Sequence, residues 1–267
     1  MRDRDQRSFD AVLWTLAGLA LVILTLPTIV VLMTSFTASE SLRFPPSGLS
    51  WRWYVELLDS DDLQDMALRS LKVAAAATGL AAVLGTSAAL ALSRNRRRWA
   101  RLVDAFFMSP LIVPWIAIGL GILLLTSVAG LPLSMGTLIA GHTVVCVPFV
   151  LRTTTASLSQ MDPALLEAST TLGASPFHGF RRITLPLIAP GIAAGSFLAF
   201  IASFDNVPIS LFLADAREPV LPIRLWQMIQ ADLDPRVASI SAVIVTFTLV
   251  LMLAMERITG LSRQLTR

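Results

Sequence analysis

The chain has 267 residues, of which 55% are hydrophobic and 15% charged, and its mean hydropathy of +0.71 excludes an ordinary soluble globular domain. One cysteine excludes an intrachain disulfide and a thiolate metal site, which leaves Cys146, inside an apolar run, as a small core residue. The net charge of +3 comes from arginines dispersed at the ends of apolar segments without interleaved aromatics, so it reports membrane topology and not nucleic-acid binding.

The fold class that follows is all-α, a polytopic membrane protein with six transmembrane helices in one domain over residues 1–267. Residues 11–36 carry no charge and are long enough to cross a hydrocarbon core of about 30 Å. They exceed the roughly 7 to 15 apolar residues of a secretory signal, so they read as a span. The second span, 70–92, is rich in Ala, Gly, Ser and Thr, the composition that lets helix backbones approach closely in lipid. No charge occurs between Ala105 and Leu151, and GLPLSMG at 130–136 divides this run into spans at 105–128 and 136–157. The fifth and sixth spans are expected at 187–213 and 237–256. Two amphipathic helices flank them, one within 50–66 with Trp51, Trp53 and Tyr54 as interfacial belt aromatics, and one at 221–231 after Pro222.

Six spans place both termini on one side. Of the 21 basic residues, fourteen fall on the face that holds the termini, led by the run RNRRRWAR at 94–101, and seven on the other. The positive-inside rule makes the first face cytoplasmic, with anionic-lipid contact as a secondary use of the run. The segments 37–69 and 214–236 then face outward, either capping the bundle or docking an external partner.

The segment 158–186 is longer than a return to the membrane requires. Asp162-Pro163 and Ser175-Pro176 are each a capping residue followed by proline at a first helical position, and Gly173 suits the left-handed residue that ends a helix. The pattern predicts a helix over 163–172, a glycine turn, and a second helix to about Leu185, where Pro186 and Pro190 mark re-entry into the membrane. Leu165, Ala168 and Leu172 share one face of the first helix, and Phe177, Phe180, Ile183 and Leu187 form a stripe on the second. The Phe177, Phe180, Ile183 stripe is expected to pack on the bundle, and the bend from Glu167 to Gly173 to meet another protein.

Glu167-Ala168-Ser169, then Gly173, then Ile183 and Leu185-Pro186 resemble the "EAA" loop of permease subunits of binding-protein-dependent, ATP-binding-cassette importers of type I. Ser169 stands where the family's name has a second alanine. The resemblance covers nearly the whole chain and implies a five-helix core with the first span added. By matched position it implies that Glu167, Ala168, Ser169 and Gly173 couple to the ATPase. It also implies ATPase subunits that bind ATP and Mg, a second and different permease, a periplasmic or extracellular binding protein, a lipid environment and an inner-membrane location.

The chain has one lysine, Lys72, and no phosphate-cradling glycine loop that ends in lysine, so no cofactor is expected on this subunit and it is not expected to be an enzyme. His142 reads as a hydrogen-bonded interior residue and His178 as a solvated or interface residue of the loop. Asp205 is the acid well inside a predicted span, and Asn206 and Pro208 beside it suggest locally opened backbone. Lining of a substrate path and a structural hydrogen-bonding role both remain open for Asp205 and Asn206. Residues 204–229 resemble the spermidine/putrescine and opine branch of these permeases. Where that branch carries two adjacent acids, Asp205 is followed by Asn206, leaving a polyamine, an opine or a related amine or amino-acid derivative as the expected cargo. The rival is a stand-alone ion-coupled carrier, which needs several intramembrane ionisable groups or inverted repeats.

Overall fold

The computed structural model describes residues 2–93, 95, 97–231 and 234–259; Arg94, Arg96, Arg263 and Arg267 of the charge tally lie outside them. The described residues are mostly helical and form no strand, with one isolated bridge between Thr37 and Leu49. Five helices are long and apolar enough to cross a membrane, and a bent pair brings the number to six if it counts as one span. By contact the chain divides into two units, Met1–Asp61 with Gln227–Phe247, and Asp62–Trp226 with Thr248–Arg267.

In the first unit, α1 (Arg2–Thr34) is continuous through Pro27, and its apolar residues are exposed from Phe9 to Ile29. At α2 (Arg52–Asp59) Trp51 is exposed, in keeping with the expected belt, but Trp53 and Tyr54 depart from it. Trp53 is buried, and its indole nitrogen donates to the Thr37 carbonyl at 2.9 Å. Tyr54 and Ser35 share a hydroxyl hydrogen bond of 2.7 Å, and Phe36 lies 4.9 Å from Trp51 and 5.1 Å from Tyr54 between ring centroids. Each polar tip that the fold buries here finds a partner, which is why the Trp53 and Tyr54 rings turn inward rather than outward.

The second unit is built on α3 (Asp61–Ser93), α4 (Arg98–Met108), α5 (Trp115–Val128), α6 (Met135–Ser159), α7 (Ala164–Thr171), α8 (Pro176–Gly179), α9 (Leu185–Phe204) and α10 (Val207–Leu213). α11 (Leu221–Ala231) matches the expected amphipathic helix, and α12 (Pro235–Thr259) the sixth span. α6 is the helix on which the others converge, and glycines make the approach possible. A Cβ on Gly85 of α3 would lie 2.9 Å from the Val150 Cβ and 3.1 Å from the Val147 carbonyl oxygen. One on Gly191 of α9 would come within 2.7 Å of the Thr153 carbonyl oxygen, and one on Gly195 within 2.7 Å of the Val150 Cα. Lipid supplies no hydrophobic drive between helices, so backbone contact of this kind supplies the packing energy. Cys146 is buried here, as expected of a core residue, with its thiol against the Ala199 carbonyl at 3.3 Å.

Two expected elements differ. The span at 105–128 is not one helix: α4 ends in a single 3-10 turn at Ser109–Leu111, and α5 leaves it at 105°. Pro110 and Pro114 supply no amide hydrogen, and proline restricts the residue before it, so the helical ladder cannot pass. The reverse holds after the loop, where Pro186 and Pro190 do not interrupt the chain. A single helical run extends from Pro176 to Phe204, because a π turn at Phe180–Thr184 widens the backbone where the Pro186 ring would otherwise press on the carbonyl of Arg182.

Candidate functional site

The loop between α6 and α9 is rigid for local reasons. The Ser175 hydroxyl accepts from the His178 amide at 3.3 Å, so α8 starts at the capping residue read from the sequence; α7 starts one residue later than expected, with Pro163 at its cap and the Asp162 carboxylate accepting from the Ala164 amide at 2.9 Å. At the far end of α7 the Gly173 amide donates to the Thr170 carbonyl at 2.9 Å and the Ala174 amide to the Ser169 carbonyl at 3.0 Å. With Gly173 at φ +82, this pair of bonds is a Schellman end.

The faces of the loop differ from the expected division. α7 meets α8 through Leu166 and Ser169, because a Cβ on Gly179 would lie 3.6 Å from the Leu166 Cδ2 and 3.7 Å from the Ser169 hydroxyl. Ser169 is half-buried in that contact, while Glu167, Ala168 and Gly173 are exposed. Leu172 is 87% exposed, and with Leu165 and Ala168 it borders an open groove of about 770 Å³ that continues to His178, Arg182 and Ile183. Phe180 and Ile183 are half-buried, but Phe177 is 70% exposed, so only part of the second stripe turns inward. Glu167, Arg181 and Arg182 form no salt bridge among the described residues. The loop thus presents apolar side chains and unpaired charges on a fixed scaffold.

A second constellation lies where α9 ends. Asp205 and Asn206 break the helix at φ −104 and −83, so the expected opening of the backbone is present. Their side chains part company. Asn206 is buried: its amide nitrogen donates to the Ala202 carbonyl at 3.2 Å and its oxygen accepts from the Ile209 amide at 2.8 Å, capping α10. Asp205 is exposed. Beneath the break, buried His142 of α6 joins the Ser203 hydroxyl through Nδ1 at 2.7 Å and the Ser210 hydroxyl through Nε2 at 3.1 Å, tying α9 and α10 to α6. His142 is therefore the interior hydrogen-bonding residue it was expected to be. Its partners, far away in sequence, carry no local signal.

The family profile described as "Binding-protein-dependent transport system inner membrane component" matches residues 81–267. The chain belongs to this family. The spermidine/putrescine transport system permease protein PotC of Escherichia coli (strain K12) is 32% identical over 240 residues, 88% of this chain and 89% of that protein. The putrescine transport system permease protein PotI of the same strain is 32% identical over 225 residues, 82% of this chain and 80% of that protein. Among solved structures, a bacterial alginate ABC transporter in complex with an alginate pentasaccharide-bound periplasmic protein superposes with a TM-score of 0.70, covering 96% of both chains at 18% identity. The permease is therefore a multi-spanning inner-membrane component of an ABC importer, which sets aside the stand-alone carrier. The loop at α7 and the break at Asp205 both lie within the matched region.

Proposed function

We propose that the permease pairs with a second, different permease, that two ATPase subunits drive the pair, and that a binding protein outside the membrane delivers cargo. ATP and Mg are held by the ATPase subunits, which carry out the hydrolysis; this chain forms part of the translocation path and contributes the mechanical link. The excess of basic residues on the side of the termini supports a cytoplasmic N-terminus, C-terminus and 158–186 loop. α7 then sits in a cleft of the ATPase, with Glu167, Ala168 and Gly173 at the contact and Ser169 holding α7 against α8. Closure of the ATPase pair draws the two coupling helices together and opens the path outward.

The cargo is a small amine, a polyamine, an opine or an amino-acid derivative. The names of PotC and PotI favour this chemistry, as does an exposed carboxylate at a helix break, which attracts a cation. Asp205 faces the path, and Asn206 sets its position by capping α10 without touching cargo.

The observation that carries the coupling reading is the doubly capped α7 with its outward Glu167, Ala168 and Leu172. Glu167→Lys and Gly173→Trp are each expected to abolish uptake while leaving membrane abundance at the wild-type level, measured by immunoblot of washed membranes beside labelled-amine uptake. Wild-type uptake in both variants overturns the coupling role.

A further inference from the structure

We propose that α4 lies in the plane of the membrane interface and that Arg97, Arg98 and Arg101 bind the phosphates of anionic phospholipid headgroups. At 3.6 residues per turn, three lines of side chains run along this helix, with half-buried Asp104 and Met108 between the first and the third. Ala100 is buried, and Val103 and Phe107 are half-buried on the line that faces the unit's core. Trp99, Leu102 and Phe106 form a second line, all exposed, with Leu102 at 72% and Phe106 at 74%. Arg98, Arg101 and Ala105 form a third, also exposed, and Arg97 stands exposed at the cap. None of the three arginines forms a salt bridge among the described residues.

α4 is too short to cross by itself, and its bend into α5 allows it to lie along the interface. Eleven residues rise about 16 Å, against a hydrocarbon core of about 30 Å, and α4 meets α5 at 105°. One face on protein, one apolar with a tryptophan, and one of guanidinium groups is what a helix at the headgroup boundary requires. The cationic line selects the occupant: a neutral protein surface has no use for three unpaired guanidinium groups beside an apolar stripe, whereas an anionic bilayer satisfies both lines at once. Arg97, Arg98 and Arg101 thereby acquire a binding role in addition to setting topology.

The test uses the full-length chain in vesicles of phosphatidylcholine with a minority of phosphatidylglycerol, brominated on one lipid or the other. Subtracting a Trp99→Phe variant isolates the Trp99 fluorescence. One arginine at the headgroup level is worth about fivefold in local anionic-lipid enrichment, so brominated phosphatidylglycerol is expected to quench Trp99 at least about twofold more than an equal fraction of brominated phosphatidylcholine. R97Q/R98Q/R101Q is expected to remove most of that excess, and R97K/R98K/R101K to keep it. Equal quenching by the two lipids in the wild-type chain overturns lipid selection, even if the glutamine variant fails to fold. Absence of quenching by either lipid overturns the proposal by showing that protein covers this face.

Discussion

Replacing Gly173 by alanine isolates the contribution of one backbone conformation to coupling. Gly173 sits at φ +82, and a Cβ there meets nothing within 4 Å, so the substitution adds no clash and removes no contact. Its cost is the left-handed penalty of an L-residue, about 1 to 2 kcal/mol, which lowers the ratio of capped to frayed α7 ends about 5- to 30-fold. Asparagine tolerates this region better, so Gly173→Asn is expected to lose less. Gly130 provides the control: it has φ +66, also meets nothing within 4 Å, and ends α5 with the same two bonds, from Gly130 to Ser127 and from Leu131 to Thr126. The assay is binding-protein-stimulated ATP hydrolysis in proteoliposomes, normalised to inserted permease. Stimulation is expected to fall several-fold in Gly173→Ala, to recover in large part in Gly173→Asn, and to stay near wild type in Gly130→Ala. Equal effects at Gly173 and Gly130, or none at Gly173, refute the claim that a rigid α7 end transmits the motion.

Three further predictions probe the bundle and the path. Asp205→Asn is expected to raise the half-saturating amine concentration about tenfold, the low end for one charged hydrogen bond, with assembly unchanged on size exclusion; unchanged uptake kinetics return Asp205 to a structural role. Gly195→Ala drives a Cβ to 2.7 Å from the Val150 Cα and is expected to destabilise by about 1 to 3 kcal/mol, whereas Gly79→Ala, with nothing within 4 Å, is expected to be neutral or mildly stabilising in thermal unfolding in detergent. His142→Ala leaves the Ser203 and Ser210 hydroxyls without their shared partner and is expected to cost about 2 to 3 kcal/mol, with partial recovery in His142→Gln; equal stability of the alanine variant and wild type contradicts the tie between α6, α9 and α10.

Sequence reading succeeded where the signal is local. Asp162-Pro163, Gly173 and Ser175-Pro176 specify the ends of α7 and α8 through bonds spanning a few residues, and the uncharged run of α1 specifies a span by length alone. The broken helix at Pro110 and Pro114 escaped because hydropathy over 105–128 is continuous, although the two prolines were a visible warning. Pro186 and Pro190 misled in the opposite sense, since the π turn that accommodates them lies upstream and has no motif. Which stripe of the loop turns inward depends on Gly179 admitting Leu166 and Ser169, a tertiary fit. The bonds from His142 to Ser203 and Ser210 span 61 and 68 residues, beyond the reach of any spacing rule. The residues proposed to couple emerged because their spacing matched a family pattern. For Asn206 the sequence leaves a path-lining and a structural role open, and its capping bonds supply the structural one.

The central claim, that α7 engages an ATPase and moves with it, is tested most directly by cross-linking. Ala168 is exposed and the single native cysteine, Cys146, is buried, so Ala168→Cys gives this chain one accessible thiol, to which a maleimide–benzophenone reagent is attached before the complete transporter is assembled and irradiated. The account predicts one permease–ATPase adduct whose yield changes between the nucleotide-free and ATP-trapped states and disappears when Glu167→Lys is added. An adduct with no ATPase, or a yield indifferent to nucleotide, contradicts it.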